Sequence, residues 1–499
     1  MLTDLNFLNP GQLWPPPAEN ERLNQYNLNR LIFEGKHDVV YAEQFKRIER
    51  IIGNFQNVVS YAVICNFQKL ISLKVADLLL GEEPIIQTGD TKSNEQAAIK
   101  NISDNGGVNN ISYQVALDLS RYGDGLFYIY KDKDTGLGKI DVTQPSIWFP
   151  VVDPSNLKRI QYHVLAWTYN QVDDNIGLIN KILNGKSQLN KHLKVQIHYR
   201  GNYEERDYIL KENKIVQQFG ESIVVQTGLD DFAIVPVANV LTSDRIHGMD
   251  DYMDLDNILS EIEVRLSQIA KILDRHADPS VQGPASALQQ DPETGEWHLK
   301  MGNYFSRDSN EDPPVEYLVW DASLQANFTM LEKLINILYT ISEMGPSILS
   351  AGQLDHSSGT AISGTAIKLR MVSPLAKVRR VAARFKPALI KSYKLCSQLG
   401  GEGIINLSKT TISVTFQDGL PKDDLELAKI MQIRTGNKAT ISQIKAIQML
   451  DDMTEENAEK ELEAIREDDN LASPLSNGNN PFANSNVIPP EDPPVNGEK

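Results

Sequence analysis

The sequence predicts an α+β protein, mainly helical, built from more than one module. Three observations carry that expectation. Leu255, Leu259, Ile262, Leu266, Ile269 and Leu273 step by four and three residues in turn, the spacing of a helix that buries a narrow apolar seam against a partner. From Leu126 to about Val240 the chain reads instead as strands alternating with turns, opening on the aromatic and β-branched run Leu126 to Tyr130. At 499 residues it also exceeds one core; domains of roughly 100 to 200 residues are usual, so about three modules are expected.

The first 37 residues are rich in Asn and Pro, and Pro15, Pro16 and Pro17 force extended backbone, so an N-terminal arm over 1–37 is expected. Helical spacing follows over Tyr41 to about Ile52 and over Asn57 to Leu80, the second helix closing at Gly81 with Pro84 beyond. A shorter helix, Tyr113 to Arg121, runs into Gly123 and Gly125 ahead of the first strand. The seam helix begins near Asp250, and Asp250, Asp251, Asp254 and Asp256 suit a first turn, where the helix dipole favours carboxylates. Its expected partner, Asn327 to Glu343, carries Phe328, Leu331, Ile335 and Leu338 at helical spacing. Between the two, residues 275–326 hold Gly, Pro and two strand-like pieces, Glu296 to Phe305 and Val315 to Trp320.

A Ser/Gly-rich segment, 345–364, leads into a long basic helix, Thr365 to about Leu399, which Pro374 is expected to kink or break. Ile412, Val414 and Phe416 alternate as a strand does. Three short helices follow, Asp423 to Arg434, Ser442 to Leu450 and Glu455 to Arg466, with Thr440 and Thr454 near helix starts. The Asn-, Pro- and Ser-rich tail, 468–499, is expected to be disordered.

Composition removes several classes of function. Hydrophobic residues make up 41% of the chain, yet no apolar run approaches the roughly 18 to 20 residues of a membrane span. Residues 1–10 show no basic stretch followed by an apolar one, so no secretion signal is expected. Cys65 and Cys396 each lie in an apolar helical pattern, as buried thiols in a reducing compartment do. The net charge of -17 argues against simple clamping of DNA, which needs a basic surface. Charge is uneven, however. Between Gly359 and Gly401 stand Lys368, Arg370, Lys377, Arg379, Arg380, Arg384, Lys386, Lys391 and Lys394, with no acidic residue. Contact with DNA and contact with acidic surfaces of neighbouring subunits are both open readings of that helix.

No enzymatic constellation emerges. The stretch nearest to a phosphate-binding loop, Gly352 to Thr360, lacks lysine and the glycine spacing. Gly123 and Gly125 precede a strand, where a dinucleotide fingerprint would follow one. His192 and His198 could share a strand face, a weak basis for a metal site. The acidic group at 250–256 lacks the turn glycine and terminal glutamate of a calcium loop. There is no Gly-x-Ser-x-Gly elbow, and neither thiol has a histidine nearby in sequence. No catalytic residue, cofactor or metal is expected.

Five stretches stand out in order: Arg30 to His37 (RLIFEGKH), Asn66 to Pro84 (NFQKLISLKVADLLLGEEP), Arg121 to Tyr130 (RYGDGLFYIY), Ser363 to Arg370 (SGTAIKLR) and Val414 to Pro421 (VTFQDGLP). With paired helices around a strand-bearing insertion, they resemble the portal proteins of tailed double-stranded DNA bacteriophages, over residues 26–467. The resemblance implies a portal fold assembled as a ring, usually a dodecamer. Its parts would be a wing (38–250 with 365–420), a two-helix stem (251–274 and 327–344), a small β-containing clip (275–326), a tunnel loop (345–364) and a helical crown (421–467). It implies a non-enzymatic channel at the unique capsid vertex for DNA packaging, genome retention and ejection.

The implied partners are duplex DNA passing without sequence readout, the terminase motor, the head-tail adaptor, and the major capsid and scaffolding proteins, with no membrane. The implied location is the virion, with the host cytoplasm during assembly. Candidate contacts carried by the same resemblance are Gln353, Asp355, His356, Ser357 and Ser358 in the tunnel loop, and Glu261, Arg265 and Lys271 facing the channel. Trp297, Tyr304, Arg307 and Asp308 would meet clip partners, and Lys368, Arg370, Lys377, Arg379, Arg380 and Arg384 mark the long helix. An acidic subunit suits sliding passage, because many phosphate contacts would hold DNA in place. Another head-tail connector or minor capsid protein is the alternative, although it needs no paired helices around a β tip. A nuclease or terminase-type enzyme would need the metal or phosphate site that the sequence lacks.

Overall fold

The computed structural model describes residues 1–50, 62–172, 189–277, 281–282, 288–292, 295–299, 316–317, 324–345, 369–401, 403–417, 424–436, 438–451 and 453–472. It divides into a first unit, Met1–Ala361 with Ala366–Gly419, and a second, Leu420–Lys499 with Ile362–Thr365. The first unit opens with α1 (Asn20–Phe33), α2 (His37–Val40), α3 (Ala42–Arg50), α4 (Phe67–Leu80), β1 (Ile85–Gln87), α5 (Asn94–Gly106) and α6 (Val108–Tyr122). Eight strands follow: β2 (Asp124–Lys131), β3 (Gly138–Val142), β4 (Trp148–Asp153), β5 (Asn156–Val172), β6 (Leu189–His198), β7 (Asn202–Lys211), β8 (Lys214–Gln226) and β9 (Ile234–Ala238). Next come α7 (Asp256–Ala277), four short strands β10 (Val281–Gln282), β11 (Leu288–Gln290), β12 (Trp297–Leu299) and β13 (Glu316–Tyr317), then α8 (Leu324–Ser342), α9 (Val372–Gln398) and β14 (Ser413–Thr415).

The strands form an antiparallel five-stranded sheet, β4-β5-β6-β7-β8, and a three-stranded sheet, β3-β2-β9. Alternating residues of the larger sheet, among them Val151, Val164, Ala166, Leu193, Val195 and Ile197, bury one face beneath Leu2, Phe7, Leu8 and Trp14. The N-terminal residues therefore differ from the expected extended arm. Their four apolar side chains cover a sheet, and α1 buries Tyr26, Asn29 and Ile32 despite its Asn-rich composition. Tertiary burial outweighs a composition that reads as loop.

α7, α8 and α4 share a second core of Leu255, Leu259, Ile262, Leu334, Leu338, Ile71 and Val75. Complete burial of such a side chain contributes about 1.5 to 3 kcal/mol. The heptad seam holds as far as Ile269 and then opens, with Leu273 48% exposed on α7 and Phe328 44% exposed on α8. α9 lies on the smaller sheet, where Phe385 meets Phe127 edge-on at 5.5 Å, and β14 pairs with β1.

Several local expectations change for identifiable reasons. The helix expected from Asn57 begins at Phe67, because Asn66 caps it by accepting the Lys69 N–H at 2.9 Å. Residues 62–66 are non-helical, so Cys65 sits outside a helix and is half-buried, while Cys396 is buried in α9. Burial pushes the Cys396 thiol up to about 12. Pro374 neither kinks nor breaks α9: it is the third residue of the helix, where no intrahelical donor is required, and the interior proline is Pro387. Helix α5 was hidden by its polar sequence; Ser93 starts it by accepting the Gln96 N–H at 3.2 Å. Gly123 ends α6 at φ +83, and a Cβ there would lie 2.3 Å from the Gly248 carbonyl oxygen, so both the turn and the close approach require glycine.

The second unit contains α10 (Asp424–Thr435), α11 (Gln443–Asp451) and α12 (Glu455–Ala472), with Met431, Ala446, Ala458 and Leu462 buried. Ser442 and Thr454 cap the last two helices through the N–H groups of Lys445 and Asn457. Thr440 instead closes the end of α10, donating its N–H to the Arg434 carbonyl at 2.7 Å. α12 extends beyond the expected Arg466 to Ala472, and the rest of the expected tail, 473–499, lies outside the described residues. Among the described residues no helix is long and apolar enough to cross a membrane.

Candidate functional site

The described polar side chains converge where α7 begins. Asp250 accepts the N–H groups of Tyr252 and Met253 at 2.9 and 2.8 Å, the turn that launches the helix. Asp251 accepts from Ser120 of α6 at 2.6 Å and from Asn239 at 3.1 Å. Its Oδ1 also lies 3.0 Å from Nζ of Lys377 on α9. That lysine is 8% exposed, and it donates to the Ser342 carbonyl at the end of α8 as well, at 3.2 Å. One cation thus ties α9 to the start of α7 and to the end of α8, the open end of the hairpin. Ser72 of α4 extends the network, lying 3.0 Å from Ser120 Oγ and 2.8 Å from the Tyr252 hydroxyl.

Two further links fasten α7 to the N-terminal helices. Tyr41 donates to Asp256 at 3.1 Å and receives a hydrogen bond from Gln68 at 2.9 Å. Burial raises the Asp256 carboxyl to about 6, against the opposing hydrogen bonds of Tyr41 and Gln68. Burial raises the Asp250 carboxyl as well, against the N–H groups it accepts. His37 and Glu263 form a fully buried pair at 2.7 Å. The other ring nitrogen of His37 donates to the Ile32 carbonyl at 3.0 Å, and Glu263 also accepts the Cys65 N–H at 2.9 Å. Burial alone would lower the His37 pKa; the Glu263 carboxylate and the Ile32 carbonyl outweigh it and raise it.

The sequence-selected residues divide sharply. On α7, Glu261 bridges Arg265 and Arg47, each at 2.8 Å, and Arg265 also donates to Gln268 at 3.2 Å. Lys271 is half-buried on the same helix. On α9, Lys377 makes the bridge described above, and Arg380 grips both carboxylate oxygens of Glu343 at 2.7 Å. Arg384 donates to the carbonyls of Asn239 and Leu241, and Lys391 pairs with Asp231 at 2.6 Å. Arg370 and Arg379 are exposed. Three cations of the basic helix, Lys377, Arg380 and Lys391, therefore pair with carboxylates of their own chain, a reading the sequence did not offer.

Trp297 begins strand β12 opposite Gln290. Tyr304, Arg307, Asp308, Gln353, Asp355, His356, Ser357, Ser358 and Lys368 lie outside the described residues. Sequence reasoning missed Glu263, Glu343 and the role of Asp251. Lys377 did carry a signal, since it falls among Leu375, Val378 and Val381 on the buried face of α9.

His192 and His198 both lie on β6 and are buried. Among the described residues neither ring nitrogen of His198 has a hydrogen-bond partner, and His192 Nδ1 has none. Cross-strand from His198 stands His163, which accepts the Trp148 indole N–H at 3.1 Å. Burial lowers His163 to about 3 and His198 to about 4. Among the described residues no group of three or more metal-binding side chains assembles.

No curated protein matches the chain. The family model described as phage portal protein, SPP1 Gp6-like, matches residues 16–182 and 211–474. That match takes in the three-stranded sheet, strands β4, β5 and β8 of the five-stranded one, the α7–α8 hairpin, α9 and the three helices of the second unit, leaving out β6 and nearly all of β7, and the chain accordingly belongs to this family of phage portal proteins.

Proposed function

We propose that copies of this chain form the ring channel at the unique vertex of a phage capsid, through which duplex DNA is packaged, retained and ejected. The family match over most of the sequence carries this reading. The α7–α8 hairpin supports it. A pair of helices is joined through short strands at one end and anchored at the other by the Lys377 bridge.

In this reading residues 251–274 and 327–344 are the stem, and 275–326 the clip that docks the terminase motor and later the head-tail adaptor. Residues 38–250 with 365–420 form the wing, and 421–467 the crown. Residues 345–364 form the tunnel loop, whose Gln353, Asp355, His356, Ser357 and Ser358 touch DNA weakly. Glu261, Arg265 and Lys271 face the channel, where mixed charge lets DNA slide because few phosphates are held. Passage is independent of sequence, since phosphate contacts carry no base information. Trp297, Tyr304, Arg307 and Asp308 meet the clip's partners. Capsid and scaffolding proteins surround the ring at assembly in the host cytoplasm, and the finished particle carries it in the virion.

Deleting residues 353–358 tests the loop's part in this mechanism. Particles carrying the deletion are expected to package or retain less DNA than wild type. Unchanged DNA content, both after packaging and after storage, would remove that role.

A further inference from the structure

The α7–α8 hairpin is dressed unequally. On one side of α7, Phe45 of α3 and Ala62 pack with Val264, the Val63 N–H donates to Ser267 Oγ at 2.9 Å, and Arg47 pairs with Glu261. On the other side α8 seats Leu331, Leu334, Ile335 and Leu338 in the shared core. The far flank of α8 is different. Met330, Ile337 and Ile341 are 42%, 45% and 44% exposed.

At 3.6 residues per turn these three side chains fall on one stripe, about 100° around the axis from Leu331 and Leu338. Thr329, Glu332, Lys333, Asn336 and Thr340 occupy a separate, polar sector. The exposure is an ordered second apolar face, and contiguous apolar faces mark contact surfaces where scattered side chains do not.

We infer that this flank of α8 is where a second copy of the chain docks, and that it meets the α3 side of the same stack, the surface around Val39 of α2 and Ile64. The inference rests on the portal reading for the existence of a ring, and adds which surfaces close it. Among the described residues the α8 flank and the α3 side of the stack of α3 with residues 62–66, α7 and α8 both leave apolar side chains exposed, and the two surfaces differ. A head-to-tail contact joins two different surfaces and repeats until the rotation closes. On the α3 side of α7, where His37 of α2 and the Cys65 N–H both reach Glu263, Val39 is 61% and Ile64 38% exposed. Charge permits the contact. Glu332 and Lys333 beside the α8 stripe balance each other in sign, as do Glu43 and Lys46 of α3, which pair at 2.6 Å. Asp38, beside Val39, adds one exposed carboxylate, so both surfaces carry charges of mixed sign and can meet even though each copy carries -17 overall.

Disulfide trapping of the full chain tests the pairing. In a Cys65→Ser background, Ile337→Cys combined with Ile64→Cys is expected to give, on oxidation, a ladder of covalent multimers on a denaturing gel. Either substitution alone should stay monomeric. Independently, Ile337→Lys with Ile341→Lys should reduce assembled protein at least tenfold in native mass spectrometry while leaving the circular dichroism spectrum and melting temperature of the monomer unchanged. Cross-linking by Ile337→Cys alone would indicate a two-fold contact and overturn the inference. Rings that persist in the lysine variant, with no ladder in the cysteine pair, would overturn it while the portal reading stands. A wild-type chain that never assembles would remove both.

Discussion

Around the start of α7 the half-buried Asp250, Asp251 and Asp256 all receive donors, and a buried lysine closes the network. In the five-stranded sheet His198 is fully buried, yet among the described residues neither of its ring nitrogens has a hydrogen-bond partner. The difference separates polarity that fixes geometry from polarity that is only tolerated. A satisfied buried network becomes costly when one member is removed, because the remainder is left desolvated and unpaired. A buried ring without a protein partner gains no such support, so replacing it with an apolar ring of similar shape is expected to cost nothing or to stabilise. The root still contains two unpartnered atoms, Glu263 Oε2 and Gln68 Oε1, and the contrast is therefore one of degree.

The largest expected effect breaks the root. Lys377→Met strands Asp251 and frees the Ser342 carbonyl, and should destabilise the first unit by about 3 to 5 kcal/mol, as breaking a buried pair does. Denaturant unfolding of the monomer measures it. A loss below about 1 kcal/mol would mean that the bridge is ornamental.

Acid should drive the two regions apart. His163 and His198 are held at about 3 and about 4 by burial, below the usual histidine value near 6.5. The unfolded chain therefore takes up protons that the folded sheet refuses, and the sheet loses stability as pH falls from about 6.5 toward 4, by up to about 1.4 kcal/mol per pH unit for each ring. Asp256, at about 6, and the raised Asp250 behave oppositely. Their folded forms bind protons first, so the root gains stability over the same interval. The raised His37 acts in the same sense, its contribution being complete at low pH and lost as pH rises through its folded value. Hydrogen exchange at pH 7 and pH 5, corrected for intrinsic rates, should show amides of β5 and β6 losing protection relative to those of α7. Parallel change in both regions would contradict the contrast.

Smaller effects sharpen it. His198→Phe should raise stability by about 1 kcal/mol at pH 7, the scale of an unmade buried hydrogen bond, and should flatten the acid response of the sheet. Arg380→Ala, at an exposed pair in which one guanidinium nitrogen reaches both oxygens of Glu343, should cost under about 1 kcal/mol. Thermal melts of both variants at pH 7 and pH 5 rank them against Lys377→Met.

Periodicity made the main architecture legible. The seam from Leu255 to Ile269, the strand character after Gly125 and the partner helix around Leu338 could all be read directly, because burial on one face imposes 3.6- or two-residue spacing. The N-terminal residues were not legible. Leu2, Phe7, Leu8 and Trp14 are spaced irregularly, and only the sheet beneath them makes them a core. The root was half legible. The acidic run predicted a first turn from Asp250, yet the helix begins at Asp256, which alone lies in that turn; the donors to Asp251 and Asp256 come from residues as distant as Tyr41, Ser120 and Lys377, and no local pattern joins those positions. The basic helix misled for the same reason, since the acids that answer it are remote in sequence.

The most direct test of the central claim is the mass of the purified full chain by native mass spectrometry, with electron micrographs of the same sample. A ring of about a dozen copies with an open central hole is predicted, since a conduit needs cyclic closure around the axis. A compact dimer without a hole would contradict the portal account.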